Sequence, residues 1–222
     1  MDVEIIMPEG LNEISLEQYQ RFLQLKSEDE MFVAQKAIEI FCNVPLIIVN
    51  NMPYQDVVRI SKRLFSYFEQ KHSLKRQPRI NGKKFGFIPN LEDITFGEYV
   101  DLDGTIADWD TMHNAMAVLY RPITEEKGEL YRIEEYESSH NYKESMKHVS
   151  MDVVFGALVF FWNLGTELSI AMMDSLEEEV KTTTVQEQAS HESGDGTLAS
   201  MRSLKETLRS LKTWLDSPST QL

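Results

Sequence analysis

A mainly α-helical fold is what this sequence predicts: a compact multi-helix domain over residues 1–176 with one small β-hairpin at about 78–88, then a flexible linker at 177–197 and an isolated C-terminal amphipathic helix at 198–216. Three observations lead there. Apolar residues recur at three- and four-residue intervals through most of the first 176 positions. A single strong turn signal, Asn81-Gly82, stands between short extended runs. At Glu177 the composition changes abruptly to small polar and acidic residues.

Ser15 and Gln18 have capping-box spacing, and Leu16, Tyr19, Phe22, Leu23 and Leu25 follow at helical intervals, predicting a first short helix. Met31 to Phe41 repeats the pattern through Val33, Ala34, Ala37 and Ile38, and Pro45 forbids its continuation. Leu46 to Val49 is a β-branched run too short to assign by itself. Beyond Pro53, the residues Val57, Ile60, Leu64, Phe65 and Phe68 form the apolar stripe of a third helix ending near Lys71. Lys71 to Arg79 then reads as a basic, solvated connector.

Asn81-Gly82 readily takes the two positive φ values of a type I′ turn, which places the hairpin, and Pro89 closes it. Thr95 can cap a helix through Phe96, Tyr99 and Val100; Ala107 to Tyr120 carries another, with Trp109, Met112, Ala115, Met116 and Leu119, that Pro122 stops. The Glu-rich stretch at 123–148 predicts a surface loop with one short extended piece around Leu130, Tyr131 and Ile133. Ser150 or Asp152 caps the longest helix, whose apolar residues from Val153 to Met172 imply burial on more than one side and a role as central strut.

The linker has too few large apolar groups to offset its ordering entropy by burial. After it, Leu198, Met201, Leu204, Leu208, Leu211 and Leu215 repeat every three or four residues, with Arg202, Lys205, Arg209 and Lys212 on other faces. The formal charge of the chain is −14, while this helix carries more cations than anions. Two readings follow: it folds back on its acidic body, or it docks in a partner's groove or self-associates as a short coiled coil.

Composition excludes several classes of function. With 42% hydrophobic and 26% charged residues the chain can bury a core. A pI near 4.8 gives a surface that repels phosphate backbones and anionic lipid, so neither nucleic acid nor membrane is an expected partner. Cys42, the only cysteine, cannot form an intramolecular disulfide and fits a reducing compartment as an inert thiol. The acidic start, Met1-Asp2-Val3-Glu4, does not read as a signal peptide. The most apolar run, Val153 to Trp162, is about half of a bilayer span.

One motif carries a specific chemistry. Asp101-Leu102-Asp103-Gly104-Thr105 matches the Asp-x-Asp-Gly-Thr signature of haloacid-dehalogenase-type phosphatases, in which the first Asp is a nucleophile at the end of a buried parallel strand. The residues before it, Thr95 to Val100, are not an aliphatic strand, and residues 106–180 read as helices, so the alternative is a helix end with Gly104 at its C-cap. The five histidines, His72, His113, His140, His148 and His191, are scattered as surface side chains without metal-ligand spacing. No catalytic, metal or cofactor residue is assigned, and no enzyme activity is expected.

A resemblance enters through four blocks: Phe85-Gly86-Phe87-Ile88-Pro89, then Leu91 to Leu102, then Leu119-Tyr120-Arg121-Pro122, and Gly156-Ala157-Leu158-Val159-Phe160-Phe161. Together they resemble the tail assembly chaperones of tailed bacteriophages, over about residues 10–175. The sequence departs from that pattern in its Asp-Gly-Thr insertion and its acidic loop at 123–148. The resemblance implies a non-enzymatic protein of the infected host's cytoplasm that binds the tape-measure protein or other tail and virion subunits. A structural virion component, either a capsid cargo or a head-to-tail connector protein, shares the same physical description.

Such a chaperone covers apolar surface on its partner, which requires an exposed apolar patch rimmed by charge. The candidates are Phe85, Phe87, Phe96 and Tyr99 around the hairpin, and Met201, Leu204, Leu208, Leu211 and Trp214 on the terminal helix. The competing reading of the first group is that these aromatics cement the hairpin to the helices.

Overall fold

The computed structural model describes residues 5–90, 94–128, 130–163 and 166. Two units divide the chain, Met1–Val159 and Phe160–Leu222. The fold is mainly helical. In the first unit the described elements run α1 (Leu16–Leu23), α2 (Glu30–Phe41), α3 (Leu46–Asn50), α4 (Tyr54–Phe68), β1 (Arg79–Ile80), β2 (Lys83–Phe87), α5 (Phe96–Asp103), α6 (Met112–Leu119), β3 (Tyr120–Lys127), β4 (Leu130–Ile133) and α7 (Lys143–Met146). A last helix, α8, covers 151–163. The expected linker at 177–197, the terminal helix at 198–216 and the end of the long helix to Met172 lie outside the described residues. Among the described residues no helix is long and apolar enough to cross a membrane.

Helix starts follow local chemistry. Ser15 and Gln18 form both halves of a capping box at α1, and the Asp29 carboxylate accepts from the N–H groups of Met31 and Phe32 at α2. The β-branched run at 46–49 is a short helix, entered through Pro45 and ending with the amide of Asn51 on the Ile47 carbonyl. α1, α2 and α4 interlock through aromatic rings: Tyr19 meets Phe68 at 5.4 Å and Trp109 at 4.9 Å, and Phe22 meets Phe41 at 5.1 Å. The start of α8 is tied to the start of α1, because the Leu16 N–H donates to Val149 O and the Met151 N–H to Ile14 O, both at 2.8 Å.

Among the described residues, α6 is enclosed on every side over its second half. Five consecutive residues, Ala115 to Leu119, are each 1% exposed or less. α8 supplies a buried stripe of Val153, Val154 and Ala157, and at Gly156 it approaches the chain so closely that a Cβ would collide with the Ser73 carbonyl. The basic connector is solvated at its cations, since Lys71, Lys75, Arg76 and Arg79 are exposed, but its backbone is tied to the sheet and the core. Its Lys75 ammonium pairs with Asp152, the Lys75 carbonyl accepts from the Tyr120 hydroxyl at 2.9 Å, and the Arg76 carbonyl accepts from the Phe87 N–H at 2.8 Å.

Asn81 and Gly82 have φ of 49° and 77°, as the type I′ reading requires. The hairpin is not alone, however. It is half of a four-stranded antiparallel sheet in the order β1-β2-β3-β4, with Phe85 opposite Pro122, Gly86 opposite Arg121 and Phe87 opposite Tyr120. Pro122 therefore lies inside β3 and does not simply end the preceding helix. The residue before a proline favours extended backbone, and the Pro122 carbonyl accepts from the Glu134 N–H at 3.0 Å. The acidic excursion is likewise a second hairpin, turned at Gly128 (φ 64°), with a register shift between Ile123 and Glu125. Glutamates have low strand propensity, and pairing with β4, Glu125 opposite Arg132 and Glu126 opposite Tyr131, overrides it.

Candidate functional site

Paired residues of an antiparallel sheet share a face, and successive residues alternate. Phe85, Phe87 and Tyr120 fill the core, at 2%, 1% and 0% exposure, and Phe85 meets Tyr142 edge-on at 5.7 Å. Phe85 and Phe87 are thus removed from the candidate binding surface: burial on the inner sheet face makes them the cement of the hairpin. Arg121, one residue beyond Tyr120, projects to the opposite face, across from Gly86. That glycine leaves room for the Tyr131 ring, which a Cβ would meet at 2.5 Å, and the Tyr131 hydroxyl donates to Phe87 O at 2.7 Å.

Arg121 fixes α5. Its guanidinium reaches the Glu98 Oε1 at 2.6 Å, with both side chains nearly buried, and lies 5.4 Å from the centre of the Tyr136 ring. The other carboxylate oxygen of Glu98 accepts from the Thr95 N–H and hydroxyl, each at 2.7 Å, while the Glu98 N–H donates to Thr95 Oγ1. One glutamate thereby closes the capping box and ties the helix to the sheet. The Tyr136 hydroxyl donates to the Asp101 carboxylate, and burial together with that bond pushes the phenol up to about 12. Leu102 adds the one buried apolar anchor of the helix.

With Glu98 and Leu102 inside, the opposite face of α5 points outward. Phe96, Tyr99 and Val100 are 82%, 55% and 49% exposed, and Asp103 continues the same face one turn on. This is a ridge of two aromatics and a valine. Asp101 and Asp103 lie on the last turn of the same helix, and from Ile94 to Asp110 the chain holds no lysine or arginine, so the ridge is flanked by negative charge. An exposed apolar cluster on a helix held by an internal ion pair is suited to contact with another protein surface.

Phe96 and Tyr99 therefore meet on one exposed ridge, Phe85 and Phe87 lie elsewhere in the core, and Met201, Leu204, Leu208, Leu211 and Trp214 fall outside the described residues. The Glu98–Arg121 pair escaped the sequence reading, which had Val100 on the helix but not among the binding residues. The Thr95-x-x-Glu98 spacing was the available signal for the glutamate, whereas its partner 23 residues on has none. Asp101 and Asp103 sit on the last turn of α5, not at the end of a parallel strand, and Gly104 is the C-cap in right-handed conformation (φ −72°). The phosphatase signature thus lacks the strand that its geometry requires.

His72 and His113 are half-buried and not simple surface groups. His72 stacks on Phe155 at 5.3 Å, and His113 lies 3.3 Å from the Gln20 amide. Burial lowers the pKa of both from the usual value near 6.5. Cys42 is half-buried and burial pushes its thiol up to about 11, well away from reactivity at neutral pH. Among the described residues, no group of three or more His, Cys, Asp or Glu side chains is placed to hold a metal ion. Compared with protein-family models, curated proteins and solved structures, the chain matches none.

Proposed function

We propose that this chain is a phage assembly protein of the tail-assembly-chaperone kind, which shields an apolar segment of a tape-measure or other tail subunit on the α5 ridge in the host cytoplasm. The observation that carries the reading is the inversion of α5: two aromatics and a valine face solvent while the charged Glu98 is buried. Exposing Phe96 costs hydrophobic free energy that a partner recovers on binding. The strongly acidic body supports a role in protein contacts over nucleic-acid contacts. The sequence resemblance described above supplies the choice of phage assembly among protein-binding roles.

The test is capture of a co-expressed tape-measure protein by the full chain and by a Phe96→Ser/Tyr99→Ser variant. Loss of central aromatic contacts should weaken capture about thirtyfold or more, with an unchanged circular dichroism spectrum. Equal capture by both proteins would remove the ridge as the binding site and, with it, this proposal. Mass spectrometry of finished particles beside the lysate separates a chaperone, present in the lysate alone, from a structural virion component.

A further inference from the structure

A second surface has the opposite charge. The extended segment 5–8 lies along α4, where the Tyr67 hydroxyl donates to Pro8 O at 3.0 Å, and between them runs a groove of about 360 Å³ lined by Ile5, Met7, Ile60, Arg59 and Arg63. Ile5 and Met7 turn toward it while Ile6, between them, is 85% exposed. Its floor is apolar and its rim cationic. Arg59, Lys62 and Arg63 share the exposed side of α4, with spacing of three and four residues. Arg59 pairs with Asp56 at 2.7 Å, and the local balance stays positive: residues 56–84 hold nine lysines and arginines against two acids, Asp56 and Glu69, in a protein of net charge −14.

Groove and ridge are complementary in kind. One offers an apolar floor with a net cationic rim; the other offers Phe96, Tyr99 and Val100 on a helix whose last turn carries Asp101 and Asp103, with no lysine or arginine between 94 and 110. Phe96 is 82% exposed, so it does not fill the groove of its own chain. We infer that the α4 groove of one copy receives the α5 ridge of a second copy. The contact is heterologous, since each copy presents two different surfaces, and it therefore propagates head to tail instead of stopping at a symmetric dimer. The inference does not rest on the phage assignment. It adds that self-association and capture on the ridge exclude one another, so a partner dissolves the assembly.

Sedimentation of the full chain tests this with two variants at exposed positions. Arg59→Glu/Arg63→Glu spoils the groove and leaves the ridge; Phe96→Asp spoils the ridge and leaves the groove. The wild-type protein should grow beyond a dimer with concentration and shrink as salt is raised. Each variant alone should associate about tenfold more weakly or less, and an equimolar mixture should form a one-to-one complex that grows no further. A wild-type chain that stays monomeric at every concentration, or a mixture that stays monomeric, would overturn the inference. So would assembly that survives groove reversal but not Phe96→Asp, because that pattern marks a ridge-to-ridge contact. The groove variant should still capture the tape-measure protein, which keeps failure of this inference distinct from failure of the proposed function.

Discussion

α1 and α5 are built by the same recipe and end with opposite faces in the core. Each has eight residues, each opens with a Ser/Thr-x-x-Gln/Glu capping box, and each carries a large apolar residue at its first position and a tyrosine at its fourth. Leu16 and Tyr19 are 0% and 3% exposed, whereas Phe96 and Tyr99 are 82% and 55% exposed. The third position decides the difference. Gln18 stays at the rim, where its amide donates to the Ile40 carbonyl at 2.8 Å, and α1 sinks its aromatic face. Glu98 is drawn inward by Arg121, and α5 turns the equivalent face to solvent. Periodicity gives the stripe of a helix; a distant charge can choose which side of it is buried.

Breaking the ion pair should have the largest effect. Arg121→Ala leaves the Glu98 carboxylate nearly buried without its cation, a change that costs about 3–5 kcal/mol. Urea denaturation would read it as a lower midpoint. Replacing both residues, as Glu98→Leu with Arg121→Met, should recover much of that loss, because an apolar pair has no charge to strand. If the double variant is no more stable than Arg121→Ala, Glu98 does not hold α5 through its charge.

A smaller effect separates the two helices by pH. The side of α1 that meets Trp109 and Phe155 is flanked by His113, at Gln20, and by His72, at Phe155. Both pKa values are lowered, first by burial; Lys75 lowers that of His72 further while Asp152 opposes, and Lys147 lowers that of His113 while Glu144 opposes. A lowered histidine pKa means that the unfolded chain takes up protons the folded one refuses. The histidines should thus leave stability unchanged between about pH 7 and 9 and make it fall as pH drops through about 6.5. Urea midpoints measured across that range should show the fall in the wild type and a flatter profile in His72→Phe.

Much of the fold was legible because its causes are local. The capping boxes at Ser15 and Thr95 and the Asn81-Gly82 turn each satisfy backbone groups within four residues, and the structure has all three. The second hairpin was not legible. Its glutamates and Pro122 argue against a strand; the start of β3 is held by an edge offered by Phe85 to Phe87, more than thirty residues earlier, and its glutamates by β4. The site divides along the same line. Phe96 and Tyr99 were visible as aromatics beside a cap, but that Phe85 and Phe87, equally aromatic, are buried depends on the sheet that β2 forms with β3, a pairing with no local signal.

The smallest effect is the most telling for the ridge. Tyr19→Ala removes a ring from the core and should cost several kcal/mol, about the 3–5 found for buried aromatics. Tyr99→Ala, at the same position of the matching helix, removes a ring that is already more than half in water. It should change stability by no more than about 0.5 kcal/mol. Thermal or urea unfolding of the two variants side by side measures the contrast. A large loss at Tyr99 would mean that the ridge supports its own fold and is not a surface left free for a partner. A negligible one leaves the exposure of these aromatics without a folding cause, which is the condition that any binding role for α5 must meet.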